Sequence, residues 1–282
     1  MSPGSVLVTG AHGFVGAQVV SQLKSAGWVV YSVVRSTQQD EMDIPLDFDD
    51  LRFSSCLDGM PHLDAIVHLA AKVDFSAQNI GSLLQTNVIS TAILAEFARR
   101  RGVRFIFASS ALVAGVKAVN ISHDSLPNAD TLYARSKWMA EELVIASGAS
   151  GTILRIGGIF GLHGPSHLGL NRAISAVVSG VPPEIVGSGD SLRNYIYVKD
   201  VAEIIVDVLR RDVSGVHLVA GCETLSIDKM FNQLCERFLP GSVPYRRAGH
   251  EGGDQLIDPS PDLLRSRSFS SALDDMCLDA QR

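Results

Sequence analysis

The chain has 282 residues, of which 46% are apolar and 19% are charged, a balance typical of a globular protein with a sizeable core. Its formal net charge of −6 argues against a nucleic-acid-binding protein, because such a protein needs a basic face for phosphates. The sequence shows no leader with a basic start and a cleavage site, and no apolar run of the ~18 residues that a membrane span requires. We therefore expect a cytoplasmic protein that contacts neither nucleic acid nor membrane.

Cysteine spacing indicates neither a metal site nor a disulfide framework. The cysteines are Cys56, Cys222, Cys235 and Cys277, and none of them belongs to a Cys-x-x-Cys or Cys/His ligand pattern. We expect reduced thiols, as in other cytosolic proteins, and no bound metal.

Apolar runs alternate with helical periodicities through the first 157 residues. Short apolar or β-branched runs predict strands, and apolar residues three or four positions apart predict helices between them. The predicted strands cover residues 6–9, 29–34, 65–69, 104–108 and 152–156, and the predicted helices cover 14–24, 83–101 and 132–145. This alternation favours an α/β fold with a doubly wound parallel sheet that is covered by helices on both faces.

A glycine-rich turn joins the first predicted strand to the first predicted helix. The segment Thr9-Gly-Ala-His-Gly-Phe-Val-Gly16 has glycines at positions 10, 13 and 16. Glycine allows positive φ and a close backbone approach, and the free N–H groups of the following helix attract a pyrophosphate. The turn therefore predicts a dinucleotide site with contacts from Gly10, Gly13, Phe14, Val15 and Gly16.

The end of the second predicted strand carries Arg35 and Ser36, where a carboxylate would bind the adenosine ribose of NAD. A guanidinium suits a 2′-phosphate instead, so the sequence favours NADP(H) as the cofactor. NAD(H) stays possible, because the loop at 36–45 contains Asp43, which could swing into that position. Arg35 could also stack on the adenine or lie in solvent.

The sequence changes character after residue 157, where glycine, proline and histidine become denser. Helices are still predicted at 168–178, 201–210 and 227–238. We predict a Rossmann-type dinucleotide-binding domain at 1–157 and a smaller, mainly substrate-binding region at 158–282, whose later strands return to the first sheet. The sequence after Gly249 predicts no element.

The pair Tyr133 and Lys137 lies four residues apart on a predicted helix, so both side chains share one face. A cation beside a phenol lowers the phenol pKa from its usual value near ~10, which suits a general acid/base. A buried strand ends in Ser109 and Ser110, and ligands of such sheets bind beyond the carboxyl ends of the strands, so both serines and the Tyr133 helix can meet one nicotinamide. We predict that the serine holds a carbonyl or alkoxide, the tyrosine shuttles its proton, and the lysine also binds the nicotinamide ribose.

Together these features resemble the extended short-chain dehydrogenase/reductase family, sugar epimerase/dehydratase branch, over roughly residues 5–265. The resemblance implies that Ser110, within Ser110-Ala-Leu-Val-Ala-Gly115, is the catalytic serine. It implies that Arg193, at the head of Arg193-Asn-Tyr-Ile-Tyr-Val-Lys-Asp-Val-Ala202, binds the diphosphate of a nucleotide-sugar. It also implies cofactor contacts for Asp47, Phe48, Leu69, Ala70, Ala71 and Asn87. Asn87 is polar within an apolar helix pattern, so it could bridge the backbone or a water instead of touching a ligand.

The chain departs from the family pattern at several positions. Dehydratases of the family carry Thr-Asp-Glu where this chain has Ser110-Ala-Leu112, which disfavours a 4,6-dehydratase. Epimerases carry Asn at Gly158 and Tyr at Ala114, so these two small residues weaken the case for an ordinary 4-epimerase and enlarge the expected pocket. His163 and Gly158 remain candidate substrate-binding residues.

We therefore expect an NAD(P)-dependent oxidoreductase that transfers hydride at a keto or hydroxyl carbon of a nucleotide-sugar, with a 4-keto reductase as the best match. A 4-epimerase that retains NAD, a reductase of a non-sugar ketone and a non-catalytic NADP(H)-sensing protein are the alternatives. The resemblance also implies a homodimer, formed through the predicted helices at 83–101 and 132–145.

Overall fold

The structure, a computed structural model, describes residues 3–35, 40–50, 53–74, 78–250 and 252–280. The helices are α1 Phe14–Ser25, α2 Phe53–Cys56, α3 Ile80–Leu84, α4 Ser90–Arg101, α5 Leu132–Ser147, α6 Gly169–Val178, α7 Val198–Arg211, α8 Ile227–Phe238 and α9 Phe269–Ala280. The strands are β1 Ser5–Thr9, β2 Val29–Val34, β3 Asp43–Pro45, β4 Ala65–His68, β5 Arg104–Ser110, β6 Asn120–Ile121, β7 Gly151–Ile156, β8 Ile159–Phe160, β9 Glu184–Val186, β10 Leu192–Arg193, β11 Ile196–Tyr197, β12 Gly215–Val219, β13 Leu225–Ser226, β14 Tyr245–Arg247 and β15 Leu256–Ile257.

The main sheet has the strand order β12-β7-β5-β4-β1-β2-β3, and the pairs between β7 and β3 are parallel. The chain moves outward from β1 through β2 to β3 and then returns to place β4 on the other side of β1. This change of direction confirms the predicted doubly wound α/β fold. It also creates a crevice at the carboxyl ends of β1 and β4, the usual place for a ligand in such sheets.

The predicted elements of the first 157 residues are confirmed, with shifts of a few residues at their ends. The predicted helix at 83–101 begins earlier, at Ile80, and contains a π-helical turn, Gln85–Ile89, between α3 and α4. Several short elements and the C-terminal helix α9 were missed. β3 has three residues, which is too short for a period-two pattern, and α9 is rich in serine and aspartate, which have modest helix propensity.

The helical stretch Ile80–Arg101 is long and apolar enough to cross a membrane by length and composition, which the sequence reading did not anticipate. Half of its most apolar window is buried inside the protein, where Leu94, Ala95 and Ala98 are fully enclosed. Core helices of globular proteins meet the same criterion, and α4 packs on α5 and the sheet. We therefore interpret this stretch as a core helix.

The chain forms two compact units. The first unit comprises residues 1–116, 125–156 and 202–217, and the second comprises 117–124, 157–201 and 218–282. In the second unit Asn194 is 7% exposed, and its carboxamide binds the backbone of Gly221 and Ile257 at 2.6–3.1 Å. These bonds fix the chain on the C-terminal side of Arg193.

Candidate active site

The glycine turn after β1 has the geometry that its sequence predicts. Gly10 has φ of +68°, and a Cβ there would lie 2.8 Å from the backbone nitrogen of Ala70. A Cβ on Gly16 would collide with the carbonyl oxygen of Gly10. Gly13 begins α1 without a side-chain cap, so the first amides of the helix, from Phe14 to Gly16, have no intrahelical partner. These donors suit a phosphate.

A cavity of about 600 Å³ lies at this turn in the first unit. Its walls bring together eight of the predicted cofactor residues, namely Gly10, Gly13, Arg35, Asp47, Phe48, Leu69, Ala70 and Ala71. The donor-rich turn, the apolar walls and the exposed guanidinium fit a dinucleotide. Sequence reasoning missed three polar residues on the wall, His12, Asp49 and Lys72, although His12 stands inside the quoted glycine turn. Ser36 lies outside the described residues.

The side chain of Arg35 is exposed and forms no hydrogen bond or ion pair among the described residues. Asp43, the acid that the loop could have swung toward the ribose, belongs to β3 instead and is 4% exposed. Its carboxylate accepts a hydrogen bond from the backbone N–H of Asp40 at 3.1 Å. This pairing leaves Arg35 as the charged side chain that directly follows β2.

His68, the last residue of β4, takes part in a buried series of hydrogen bonds. The sequence placed this histidine at the end of a strand and gave it no other role. The Thr9 hydroxyl lies 2.6 Å from His68 Nδ1, and His68 Nε2 lies 2.9 Å from the Thr91 hydroxyl. Thr91 donates to the carbonyl of Asn87 at 2.8 Å, so Nε2 must be the ring donor and Nδ1 the acceptor. Burial, with a smaller effect of Lys137, lowers the pKa of His68 to about 3, so the ring is neutral.

Asn87 lies in the π-helical turn and is fully buried. Its Oδ1 accepts from the Lys72 N–H at 2.8 Å, and its Nδ2 donates to the Lys72 carbonyl and to Ser136 Oγ at 2.9 and 3.0 Å. Both amide protons are thus used within the protein. Asn87 therefore joins the loop after β4 to α5, and its cofactor contact stays a prediction.

The predicted catalytic residues Ser110 and Tyr133 lie together and are hydrogen-bonded through their side chains. Ser110 ends β5, and its hydroxyl also accepts from the Leu112 N–H at 3.2 Å. Thr131 caps the start of α5 by accepting from the Ala134 N–H at 3.1 Å, which fixes the first turn of the helix around Tyr133. A hydroxyl pair of this kind can hold a carbonyl oxygen and exchange its proton.

Lys137 is 2% exposed, and its Nζ lies 4.6 Å from the centre of the Phe107 ring. Burial lowers the pKa of Lys137 to about 7, and the charge of Glu141 opposes this shift. Burial raises the pKa of Tyr133 to about 12, and the hydrogen bond with Ser110 opposes it. The predicted lowering of the tyrosine pKa is therefore wrong, because burial, which raises the pKa of Tyr133, outweighs the hydrogen bond with Ser110, which lowers it.

Ser109 does not face the cofactor cavity, contrary to expectation. Its side chain is buried and its hydroxyl is hydrogen-bonded to Glu141 Oε1. Arg155 binds the same carboxylate through Nε at 3.1 Å and through Nη2 at 2.7 Å. Nothing in the sequence pattern had singled out Glu141 or Arg155.

The second unit contains a separate cavity of about 570 Å³, lined by Arg172, Arg193, Tyr195 and Arg247 among others. Arg193 Nη1 donates to the carbonyl of Leu192 at 2.7 Å, and its side chain also bonds Tyr195. Burial raises the pKa of Tyr195, and Arg193 opposes this effect. A cavity with several guanidinium groups suits an anionic ligand such as a diphosphate.

Gly158 does not enlarge the pocket as predicted, because the space beside it is filled. A Cβ at Gly158 would collide with the ring of Tyr195. Ala114 is 8% exposed and belongs to the buried turn that follows Ser110. His163 is exposed in a left-handed backbone conformation with φ of 59°, and it does not line the Arg193 cavity.

A family model described as the NAD dependent epimerase/dehydratase family matches residues 6–221. The chain belongs to this family. It is therefore an enzyme of the extended short-chain dehydrogenase/reductases, as the turn, the serine block and the Tyr133/Lys137 pair indicated.

Characterised relatives within the epimerase/dehydratase family differ in reaction. A dTDP-glucose 4,6-dehydratase of Mycobacterium tuberculosis (strain ATCC 25618 / H37Rv) is 28% identical over 233 residues, covering 74% of this chain and 70% of the relative. A UDP-glucose 4-epimerase of Neisseria meningitidis serogroup B is 28% identical over 292 residues, covering 86% of each. At this identity the family assigns NAD-dependent chemistry on nucleotide-sugars but no single reaction.

Solved structures agree with the family assignment over the full chain. MoeE5 in complex with UDP-glucose and NAD superposes with a TM-score of 0.84 at 28% identity, covering 99% of both chains. UDP-N-acetylglucosamine 4-epimerase from Bacillus cereus gives the same TM-score at 22% identity and shows the shared fold. Among the residues that the structure describes, no cluster of three His, Cys, Asp or Glu side chains could hold a metal ion.

Proposed function

We propose that this enzyme transfers hydride at a keto or hydroxyl carbon of a nucleotide-sugar, and that its reaction is the reduction of a 4-keto-sugar by NADPH. The observation that carries the proposal is the pairing of Ser110 with Tyr133, one helical turn before the buried Lys137. This arrangement supports proton exchange at a substrate oxygen.

Each residue has a defined task in this proposal. When bound, the dinucleotide supplies the hydride. Ser110 holds the keto oxygen of the substrate, and Tyr133 donates the proton that this oxygen needs as it becomes a hydroxyl. Lys137 keeps free ammonium donors, since it forms no hydrogen bond among the described residues, and these would bind the ribose next to the nicotinamide. Arg193 would bind the diphosphate of the substrate.

The serine block supports a reductase over a dehydratase. Elimination of water needs an acid and a base beside the catalytic serine, but this chain has Ala111 and Leu112 there. Neither side chain can exchange a proton. The dehydratase relatives therefore share the family with this chain but, in this proposal, not the reaction.

The exposed guanidinium of Arg35 on the cavity wall supports NADPH as the cofactor. A cofactor used as a reductant must be exchanged in every cycle, and cells keep NADP reduced for such reactions. The proposal therefore treats NADPH selectivity and reductase activity as linked properties.

A 4-epimerase is the second candidate, and the UDP-glucose 4-epimerase relative favours it, because that match covers 86% of both chains. The solved complex of MoeE5 with UDP-glucose and NAD favours NAD as well. An epimerase would retain NAD and return the hydride to the opposite face of the same carbon.

Titrations of NADPH and NADH, followed by turnover of 4-keto and 4-hydroxy UDP-, GDP- and dTDP-sugars, separate the two candidates. We expect tighter binding of NADPH by at least about tenfold, loss of that preference in Arg35→Met, and oxidation of NADPH by a 4-keto-sugar. Arg99→Met removes a remote exposed charge and should leave the preference unchanged. Co-purified NAD and interconversion of two 4-hydroxy sugars without NADPH oxidation would instead establish the epimerase.

We also propose a cytoplasmic homodimer that forms through α4 and α5. The apolar residues Trp138, Met139 and Leu143 on α5 and Ile89 in the turn that leads into α4 are exposed in the single chain, which supports burial against a second copy. Sedimentation of the wild type and of Met139→Glu tests this, because a charge in such an interface should give a monomer.

A further inference from the structure

A buried carboxylate lies one helical turn beyond Lys137 and has no task in the chemistry proposed above. Glu141 is 1% exposed, and Arg155 on β7 holds both of its oxygens at 2.7–3.2 Å. Ser109, at the end of β5, is hydrogen-bonded to one of them. An ionised carboxylate is costly to bury, so three converging contacts that fix its position call for a physical explanation.

The surroundings of Lys137 supply that explanation. Glu141 follows Lys137 by four residues on α5, so the two side chains share one face of the helix. Among the described residues, Phe107 on β5 presents its ring to the ammonium, and His68 on β4, whose pKa Lys137 helps to lower, is neutral. Tyr133, one turn earlier on α5, keeps its proton. Among the described residues, Glu141 is the carboxylate whose charge favours the ammonium form of Lys137.

We propose that Glu141 is a positioning residue that keeps Lys137 charged inside its buried site, with Arg155 and Ser109 holding the carboxylate in place. This inference rests on the task given to Lys137 in the proposed function. Glu141 itself touches neither the substrate nor the cofactor. It acts through Lys137, whose ammonium form has the donors for a ribose.

Replacing Glu141 by glutamine keeps the shape of the side chain but removes its charge. Arg155, whose side chain is 15% exposed, then loses its anionic partner, and Lys137 loses the negative charge that opposes the effect of burial. A nearby negative charge favours the ammonium form, so without it Lys137 should lose its proton at a lower pH. Glu142 is the matched control, because it carries the same charge on the same helix but is exposed.

The direct test is an NMR titration of the lysine ε-carbons in the full chain without cofactor, with the Lys137 signal assigned by its absence in Lys137→Arg. We expect a midpoint near 7 in the wild type and in Glu142→Gln. We expect a midpoint lower by about one pH unit or more in Glu141→Gln. An unchanged midpoint in folded Glu141→Gln overturns the proposal. This titration needs no substrate, so its outcome is independent of which reaction the enzyme catalyses.

Glu141→Asp provides a second variant in case Glu141→Gln does not fold. Its carboxylate keeps the charge, so the Lys137 midpoint should stay within about half a unit of the wild type. The pH dependence of kcat/KM gives an independent readout, since the fall of activity at high pH should move to lower pH in Glu141→Gln and return in Glu141→Asp. A loss of activity by the same factor at every pH would show a merely structural role and overturn the proposal.

Discussion

A buried lysine of the first unit and a half-buried lysine of the second unit have opposite surroundings. Lys137 in the first unit has no ion pair among the described residues, and burial lowers its pKa to about 7. Lys199 in the second unit lies 2.7 Å from Asp275 and 2.6 Å from Asp279. Burial also acts to lower the pKa of Lys199, but the two carboxylates raise it overall.

This difference separates a lysine that the proposed function reserves for a ligand from a lysine that holds the fold. Lys137 has no hydrogen bond or ion pair among the described residues, which is unfavourable for stability but would leave its donors for a ligand. Lys199 joins α7 to α9, and Tyr197 adds a hydrogen bond to Asp275 at 2.9 Å. The second unit thus uses ion pairs to fix its C-terminal helix, whereas the first unit buries a lysine that has no ion pair among the described residues.

The largest expected effect comes from removing the proton donor of the first unit. Tyr133→Phe should lower kcat by about 10²–10⁴-fold, because general acid catalysis contributes that much. Cofactor affinity should change by less than about threefold, since the ring remains. Steady-state rates and a cofactor titration measure both, and Tyr245→Phe is the control, because its ring is 51% exposed. Activity retained in Tyr133→Phe would remove Tyr133 from the mechanism.

In the second unit, the largest effect should come from packing rather than charge. Gly158→Ala should lower the free energy of unfolding by about 1–3 kcal/mol, because the new Cβ collides with the Tyr195 ring. In a Tyr195→Ala background the same change should cost much less. Urea unfolding of the wild type, the two single variants and the double variant measures the coupling free energy between positions 158 and 195. Gly253→Ala is the control, because a Cβ there meets nothing within 4 Å. Equal costs in both backgrounds would contradict the predicted collision.

Acid should weaken the first unit through His68. The pKa of His68 is about 3 in the folded protein against 6.5 when unperturbed. Between pH 3 and pH 6.5 the imidazole is therefore protonated in the unfolded state but neutral in the folded state. The stabilisation is present above pH ~6.5 and is lost as the pH falls, by about 2 kcal/mol between pH 6.5 and 5. Urea unfolding against pH should show a shallower slope for His68→Gln than for the wild type. Parallel slopes would mean that His68 is not the group responsible.

Lys199 should stabilise the folded protein through its ion pairs, whereas Lys137 should make the stability depend on pH; each effect should be about 1 kcal/mol. Lys199→Met should destabilise the protein by that amount, because two ion pairs are lost. The folded pKa of Lys137 is lowered, so the unfolded state binds more protons above pH ~7 and the wild type should gain stability as the pH rises from 7 to 8. Lys137→Met should abolish that gain. A wild-type stability that is flat over this range, with Lys137→Met no different, would contradict the lowered pKa.

Much of the first unit could be predicted from the sequence, because its signals are local. Val29–Val34 was predicted at its observed bounds, since a β-branched run followed by a charge defines a buried strand. The glycine turn and the Tyr133/Lys137 spacing likewise depend on a few neighbouring residues. Helix α9 lacks such a signal, and its buried residues, Leu273 and Met276 among them, accompany its packing on α8.

By itself, the sequence determined the alternation of strands and helices, the glycine turn, the catalytic pair and the family. The tertiary structure decided what each polar side chain contacts. Ser109 is hydrogen-bonded to Glu141, and Asn87 is hydrogen-bonded to the Lys72 backbone. The ring of Tyr195 fills the space beside Gly158. The tertiary structure also reversed the expected shift of the Tyr133 pKa. The physical reason is that burial and hydrogen-bond partners arise between residues far apart in the chain, where spacing and periodicity carry no information.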